Sequence, residues 1–284
     1  MRVFQERRGL VVDGICGRQT WSSLVEAGYR LGDRLLYMRN PYLRGDDVVD
    51  LQRRLGALGF DAGRIDGIFG PDTDRALRSF QRNAGLSVDG IGGATTLLSL
   101  QRLRSKGPEI DPAAVRESVH WQGTPTTLAG RRVALGESGG VNAFQRAVQH
   151  ELVGQGAIVT LLSHPDTAIL AGQANAAAAE VYVGLALAAP GRGCRAAYWG
   201  AHGTVSPAGR RLAGLILDEL SISGAGTDGP PVPMATPILR ETRMPAVAVE
   251  LGPPRLVVEQ ASIAAAAVGR AIARWVDGPC LDLT

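Results

Sequence analysis

The stretch RRVALGESGGVNAFQRAVQHEL, residues 131–152, sets the architecture of the larger part of the chain. Val133-Ala134-Leu135 is a short apolar run, Gly136-Glu137-Ser138-Gly139-Gly140 is a glycine-rich turn, and an amphipathic helix pattern follows. A strand that passes through such a turn into a helix is the building unit of an α/β sheet. The same alternation continues downstream. Strands are predicted at 131–135, 157–162, 180–187, 194–199 and 246–251, and helices at 141–154, 166–178, 206–220 and 258–275. The expected fold is a twisted, mainly parallel sheet flanked by helices, and alanine-rich helical runs such as ANAAAAEV (174–181) suit close packing on it.

The front of the chain is organised differently. VDGICGRQTWSSL (12–24), IDGIFGPDTDRAL (65–77) and VDGIGGATTLLSL (88–100) share D-G-I-x-G-x-x-T at fixed spacing. Asp-Gly makes a tight turn in which the glycine takes positive φ, and the isoleucine after it enters a core. Thr20, Thr73 and Thr96 fall one turn into the following helix, where they are expected to pack or to bond back to the backbone. Val48, Leu51, Leu55 and Leu58 lie at helical spacing, so residues 46–103 read as three short helices joined by DG turns. Phe4-Gln5…Gly9-Leu10 and Phe80-Gln81…Gly85-Leu86 precede two of the repeats as matching helix ends. Residues 1–30 therefore match only the second half of the complete copy. The counterpart of the helix Asp46–Leu58 would lie before Met1, and the expectation is an upstream start that could also hide an export signal. Residues 104–129 carry three prolines and little periodicity, which marks a linker.

The totals exclude several classes. With 284 residues there is room for two domains, and 45% hydrophobic with 20% charged residues is ordinary globular composition. The net charge of +3 is spread along the chain without a basic block, which speaks against a nucleic-acid partner. No run of apolar residues is long enough for a membrane span. Cys16, Cys194 and Cys280 are far apart with no Cys/His cluster, so neither a disulfide framework nor a zinc ribbon follows, and a reducing compartment fits best.

Residues 136–140 also match G-x-S-x-G, the turn in which serine hydrolases hold their nucleophile. Ser138 would then need an acid and a histidine after it in the chain. His150 lies in the next helix and His164 precedes Pro165, which leaves His202, with Asp166 or Glu180 as the acid. The strand before Ser138 is the first of its sheet, so no earlier strand can donate an oxyanion N–H. A phosphate loop fits no better. The lysine of a Walker motif is missing, and Glu137 would repel phosphate.

Residues 43–100, with LQRRLGALGF, IDGIFGPDT, ALRSFQRNAGL and SVDGIGGATT, resemble the three-helix peptidoglycan-binding domain of cell-wall hydrolases. The part that follows resembles the zinc N-acetylmuramoyl-L-alanine amidases. In that family the first strand ends in D-P-G-H-G-G, a glutamate opens the next helix, a later strand carries S-I-H-A-N, and a late strand carries V-E-x-G. The two histidines and the first glutamate hold zinc, and the last glutamate is the general base that acts on a metal-activated water. Laid on these motifs, Ser138 stands where the first histidine is expected, Asn142 or Ala143 where the glutamate ligand is expected, and Ala186 where the second histidine is expected. Only Glu250, in MPAVAVELGPP, keeps its motif residue, as a vestigial general-base position. An alternative metal set of His202, Glu250 and Glu137 would use a histidine outside any matched position.

Over residues 10–276 the chain is similar to the CwlM-type cell-wall regulators of actinobacteria, through YRLGDRLLY, GDDVVDLQRRLGALGF and TRMP. The resemblance implies an α/β amidase-like domain preceded by all-α three-helix peptidoglycan-binding repeats. The expected boundaries are a partial repeat over 1–30, a complete domain over 36–103 and an amidase-like domain over 130–278. It implies a pseudoenzyme with no cofactor, since zinc belongs only to the alternative of an active autolysin. It further implies a cytoplasmic place, membrane association only through partners, and regulation of peptidoglycan synthesis. The implied partners are peptidoglycan fragments or a lipid-linked precursor, the UDP-N-acetylglucosamine enolpyruvyl transferase and a Ser/Thr kinase. If the worn site is reused for binding, the resemblance places that groove near Ser138, His202 and Glu250.

Overall fold

The computed structural model describes residues 1–103 and 127–278, and the chain divides into two compact units, one helical and one built on a sheet. The expected linker lies outside the described residues as far as residue 126, and so does Cys280.

The helical unit contains α1 (Arg2–Arg7), α2 (Arg18–Glu26), α3 (Asp46–Ala57), α4 (Pro71–Asn83) and α5 (Ala94–Arg102). Proline opens α4, where its missing N–H costs nothing, and Asp46 and Asp47 in the first turn of α3 oppose Arg54 in its last. The apolar stripe Val48, Leu51 and Leu55 of α3 is fully buried against Phe69, Leu77, Phe80, Leu97 and Leu100. Phe60 meets Phe80 edge to face, with centroids 5.7 Å apart.

One polar network appears three times. Gln81 Nε2 donates to Asp89 Oδ1 (2.7 Å), to the Ile91 carbonyl (3.1 Å) and to Thr96 Oγ1 (3.2 Å), while its Oε1 accepts the Gly90 N–H at 2.9 Å. Gln5 makes the same set with Asp13, Ile15, Thr20 and Gly14, and Gln52 makes it with Asp66, Ile68, Thr73 and Gly67. The three glutamines are almost completely buried. Gly14, Gly67 and Gly90 have φ of +84°, +72° and +72°, the left-handed turn that Asp-Gly provides. The threonines thus accept from the glutamine, and Thr96 Oγ1 donates to the turn carbonyl of Ile91 at 3.2 Å, rather than bonding inside their own helix. Donation from the Ile91 backbone N–H, then from the Gln81 side-chain amide, holds the Asp89 carboxyl below its ordinary range, and the Ile15 N–H and the Gln5 amide do the same for Asp13.

In the sheet unit, β1 (Arg132–Glu137), β2 (Ile158–Ser163), β3 (Val181–Leu187) and β7 (Ala246–Leu251) run parallel in the order β2-β1-β3-β7. β4 (Arg195–Ala201) lies antiparallel beside β7 and continues to β5 (Thr204–Val205), while β6 (Val232–Met234) pairs with β4. The helices are α6 (Asn142–Gly154), α7 (Thr167–Ala176), α8 (Pro207–Ile222), α9 (Pro237–Glu241), α10 (Pro254–Glu259) and α11 (Ala261–Asp277). Alternate residues face the main core: Val133 and Leu135, Val181, Val183 and Leu185, Val247, Val249 and Leu251 pack under α6, α8 and α11. The opposite face meets α7 and α9. Glu219 of α8 ties to Arg270 (2.9 Å) and Arg274 (2.8 Å) of α11, and Trp275 donates to the Ala208 carbonyl at 2.9 Å. The expected single helix over 258–275 is two, α10 and α11, with Gln260 between them at φ −120°. The short elements β5, β6 and α9 have no periodic signal long enough to predict.

Candidate functional site

The site builds from the carboxyl ends of the parallel strands, where open α/β sheets place their ligands. At the end of β1 the chain turns through Gly139 (φ +139°) and Gly140 (φ +86°), so both glycines are demanded by the backbone. Glu137 is 2% exposed and accepts the Gly139 N–H at 2.9 Å and the Ser163 hydroxyl. Its alternation places it on the face of Val133 and Leu135, so it fastens the turn to β2 from the core side. Gln145 of α6 reinforces the same corner, donating to the carbonyls of Leu135 (2.8 Å) and Leu162 (2.9 Å).

The opposite face carries the row of interest. Ala186 of β3 pairs with Glu250 of β7, and Glu250 pairs on its other side with Arg195 of β4. Glu137 pairs with Leu185, so Ser138, the next residue, continues into the register of Ala186. Four neighbouring strands therefore present Ser138, Ala186, Glu250 and Arg195 side by side. Ser138 and Ala186 are half-buried, Arg195 is half-buried and Glu250 is exposed. Asn142 opens α6 and is exposed. Behind the row lies Tyr182, 1% exposed, whose ring covers Gly184 and whose hydroxyl fills the space over Gly136 that any side chain there would need. Burial alone pushes its phenol well above the ordinary range, so it stays protonated at neutral pH and forms a floor rather than a base.

His202 is not part of this row. It follows β4 at the end away from Arg195, seven residues on, or roughly 20 Å along the strand. The antiparallel direction of β4, invisible in the sequence, separates it from Glu250. The grouping of His202 with Ser138 and Glu250, the metal set with Glu137, and the triad with Ser138 all lose their geometry for this reason. The histidine that does stand beside the turn is His164, whose N–H bonds the Glu137 carbonyl at 3.2 Å. Its ring Nδ1 accepts the backbone N–H of Asp166 at 2.9 Å, while the Asp166 carboxylate accepts the Ala168 N–H as the cap of α7, so this acid does not orient the ring as in a catalytic triad.

Zinc, which the amidase resemblance implies, does not fit this donor set. The row offers one carboxylate, a hydroxyl and a methyl, and three nitrogen, sulfur or carboxylate ligands are what a catalytic zinc needs. No group of three or more His, Cys, Asp or Glu able to hold a metal occurs among the described residues.

Residues 44–100 match the family model of the peptidoglycan binding domain. Over 290 aligned residues the chain is 36% identical to "N-acetylmuramoyl-L-alanine amidase CwlM" of Mycobacterium tuberculosis, covering 89% of this chain and 70% of that protein. The chain belongs to the CwlM family. A spore cortex-lytic enzyme of Oceanobacillus iheyensis is 54% identical over 52 residues, 18% of this chain and 19% of that enzyme. An N-acetylmuramoyl-L-alanine amidase crystal structure from Clostridium difficile 630 overlays at TM-score 0.44 and 16% identity, covering 52% of this chain and 98% of that one. This CwlM family member thus combines a peptidoglycan-binding domain with an amidase-like α/β unit, and no helix among its described residues is long and apolar enough to cross a membrane.

Proposed function

We propose that the chain is a non-catalytic, peptidoglycan-binding regulator of cell-wall peptidoglycan synthesis that works in the cytoplasm. The observation that carries the reading is the row at the strand ends, where Ser138 and Ala186 flank Glu250 and supply no imidazole. A general base with no polarised water beside it has nothing to activate, and an amide bond is too inert to be opened by one carboxylate. The binding half supports the same reading, because residues 44–100 carry the peptidoglycan-binding family match and a complete core. In this account the partial repeat is 1–30, the binding domain 36–103, the linker 104–129 and the amidase-like unit 130–278. Partners are peptidoglycan fragments or a lipid-linked precursor, the UDP-N-acetylglucosamine enolpyruvyl transferase and a Ser/Thr kinase.

The rival reading, a zinc-dependent autolysin, is favoured by the amidase name that CwlM of Mycobacterium tuberculosis carries. Incubation of the whole chain with purified sacculi and added zinc separates the two. We expect the protein to sediment with the sacculi and to release no stem peptide. Chelator-sensitive release of stem peptide would overturn the proposal in favour of the autolysin.

A further inference from the structure

Arg195 and Glu250 are direct cross-strand partners on an antiparallel ladder, so their side chains leave the same face of the sheet with Cβ atoms roughly 5 Å apart. Opposite charges so placed ordinarily close on each other. Here neither takes part in an ion pair or side-chain hydrogen bond with another described residue. Other charges of this unit behave differently: Arg131 pairs with Glu180 at 2.7 Å, and Arg270 and Arg274 both pair with Glu219. The row therefore presents a guanidinium and a carboxylate outward, with the small side chains of Ala186 and Ser138 beside them and the buried ring of Tyr182 behind.

We propose that Arg195 and Glu250 bind the two charges of a free α-amino carboxylate, as carried by an amino acid or by the diamino-acid side chain of a cell-wall peptide. The guanidinium fork takes the carboxylate through two parallel N–H···O bonds, and Glu250 accepts from the ammonium. One carbon separates the two groups of such a ligand, and neighbouring strands about 4.8 Å apart present the two receptors at matching spacing. Ala186 and Ser138, small where an imidazole would fill the face, leave room for the rest of the ligand along the row. Glu250 then serves as a recognition group instead of a base. The inference rests on the non-catalytic reading above.

The test is a calorimetric titration of the whole chain with diaminopimelate. Pimelate, which has only the carboxylates, and cadaverine, which has only the amines, are the controls. We expect saturable binding of diaminopimelate and at least about tenfold weaker binding of either control, since each lacks one charge-assisted contact. Arg195→Met and Glu250→Gln are each expected to weaken diaminopimelate by about tenfold or more, and Arg195→Lys, which keeps the charge but loses the fork, by less. Melting curves matching the parent establish that the variants are folded. Absence of saturation, equal affinity for a control, or undiminished affinity in either Arg195→Met or Glu250→Gln overturns the proposal. Sedimentation with sacculi and the lack of peptide release are read separately, so failure here leaves the regulator reading standing, and peptide release would remove that reading by itself.

Discussion

The helical unit and the strand-end row of the sheet unit use polar side chains in opposite ways. Each of Gln5, Gln52 and Gln81 spends its donors and its acceptor on one Asp-Gly-Ile turn, and the closed network is buried. Glu250 and Arg195 spend nothing on the protein and face outward. Closed networks fix the backbone, because each buried partner left alone would cost about 1–3 kcal/mol. Open pairs add little to stability and remain available to a ligand. The same contrast runs inside the helical unit. The N-terminal copy repeats the polar network of the complete one but not its apolar cover. Leu77 and Leu97, 0% and 6% exposed, correspond to Met1 and Trp21, 50% and 62% exposed. Turn chemistry is local and forms with or without apolar cover, whereas a core needs apolar partners from other elements.

The largest effect is expected where that contrast is sharpest. Leu97→Ala should destabilise the helical unit by about 2–5 kcal/mol in urea unfolding, while Trp21→Ala at the equivalent site stays within about 0.5 kcal/mol. Similar losses at both sites would mean that the N-terminal copy is covered in solution. Gln52→Leu comes next, at about 2–4 kcal/mol, because it takes the Oε1 acceptor from the Gly67 and Asp66 N–H groups together, while the Thr73 hydroxyl keeps the Ala62 carbonyl. A near-neutral result would show that water replaces the glutamine and that the network is not closed. Gly136→Ala follows, at about 1–3 kcal/mol by thermal melting, since its methyl would overlap the Tyr182 hydroxyl. Combining it with Tyr182→Phe should recover part of the loss, because the overlapping oxygen is gone. Smallest of all, Glu250→Gln should change stability by less than about 0.5 kcal/mol, and a larger change would mean that Glu250 is structural after all.

Much of the fold was legible in the sequence because its signals are local and periodic. The strands over 132–137, 158–163, 181–187 and 246–251 follow apolar runs, and the glycine pair 139–140 follows from a turn that needs positive φ. The role of Gln52 was missed because it acts fourteen residues ahead of its turn, whereas Gln5 and Gln81 act eight ahead. Only the shared triplet of Asp, Ile and Thr partners reveals the equivalence. In the candidate site, the neighbours Ser138, Ala186 and Glu250 could be placed by motif. Arg195 could not, since its nearness to Glu250 depends on β4 running antiparallel, and strand direction leaves no mark on local composition. The same blindness placed His202 beside Glu250, when the strand carries it away.

The central claim is that the strand-end row has no metal chemistry left. Native mass spectrometry of the whole chain after zinc loading and desalting tests it most directly. The account predicts a mass without stoichiometric zinc, unchanged by chelator and by Glu250→Gln. One zinc per chain, removed by chelator and weakened by Glu250→Gln, would contradict it.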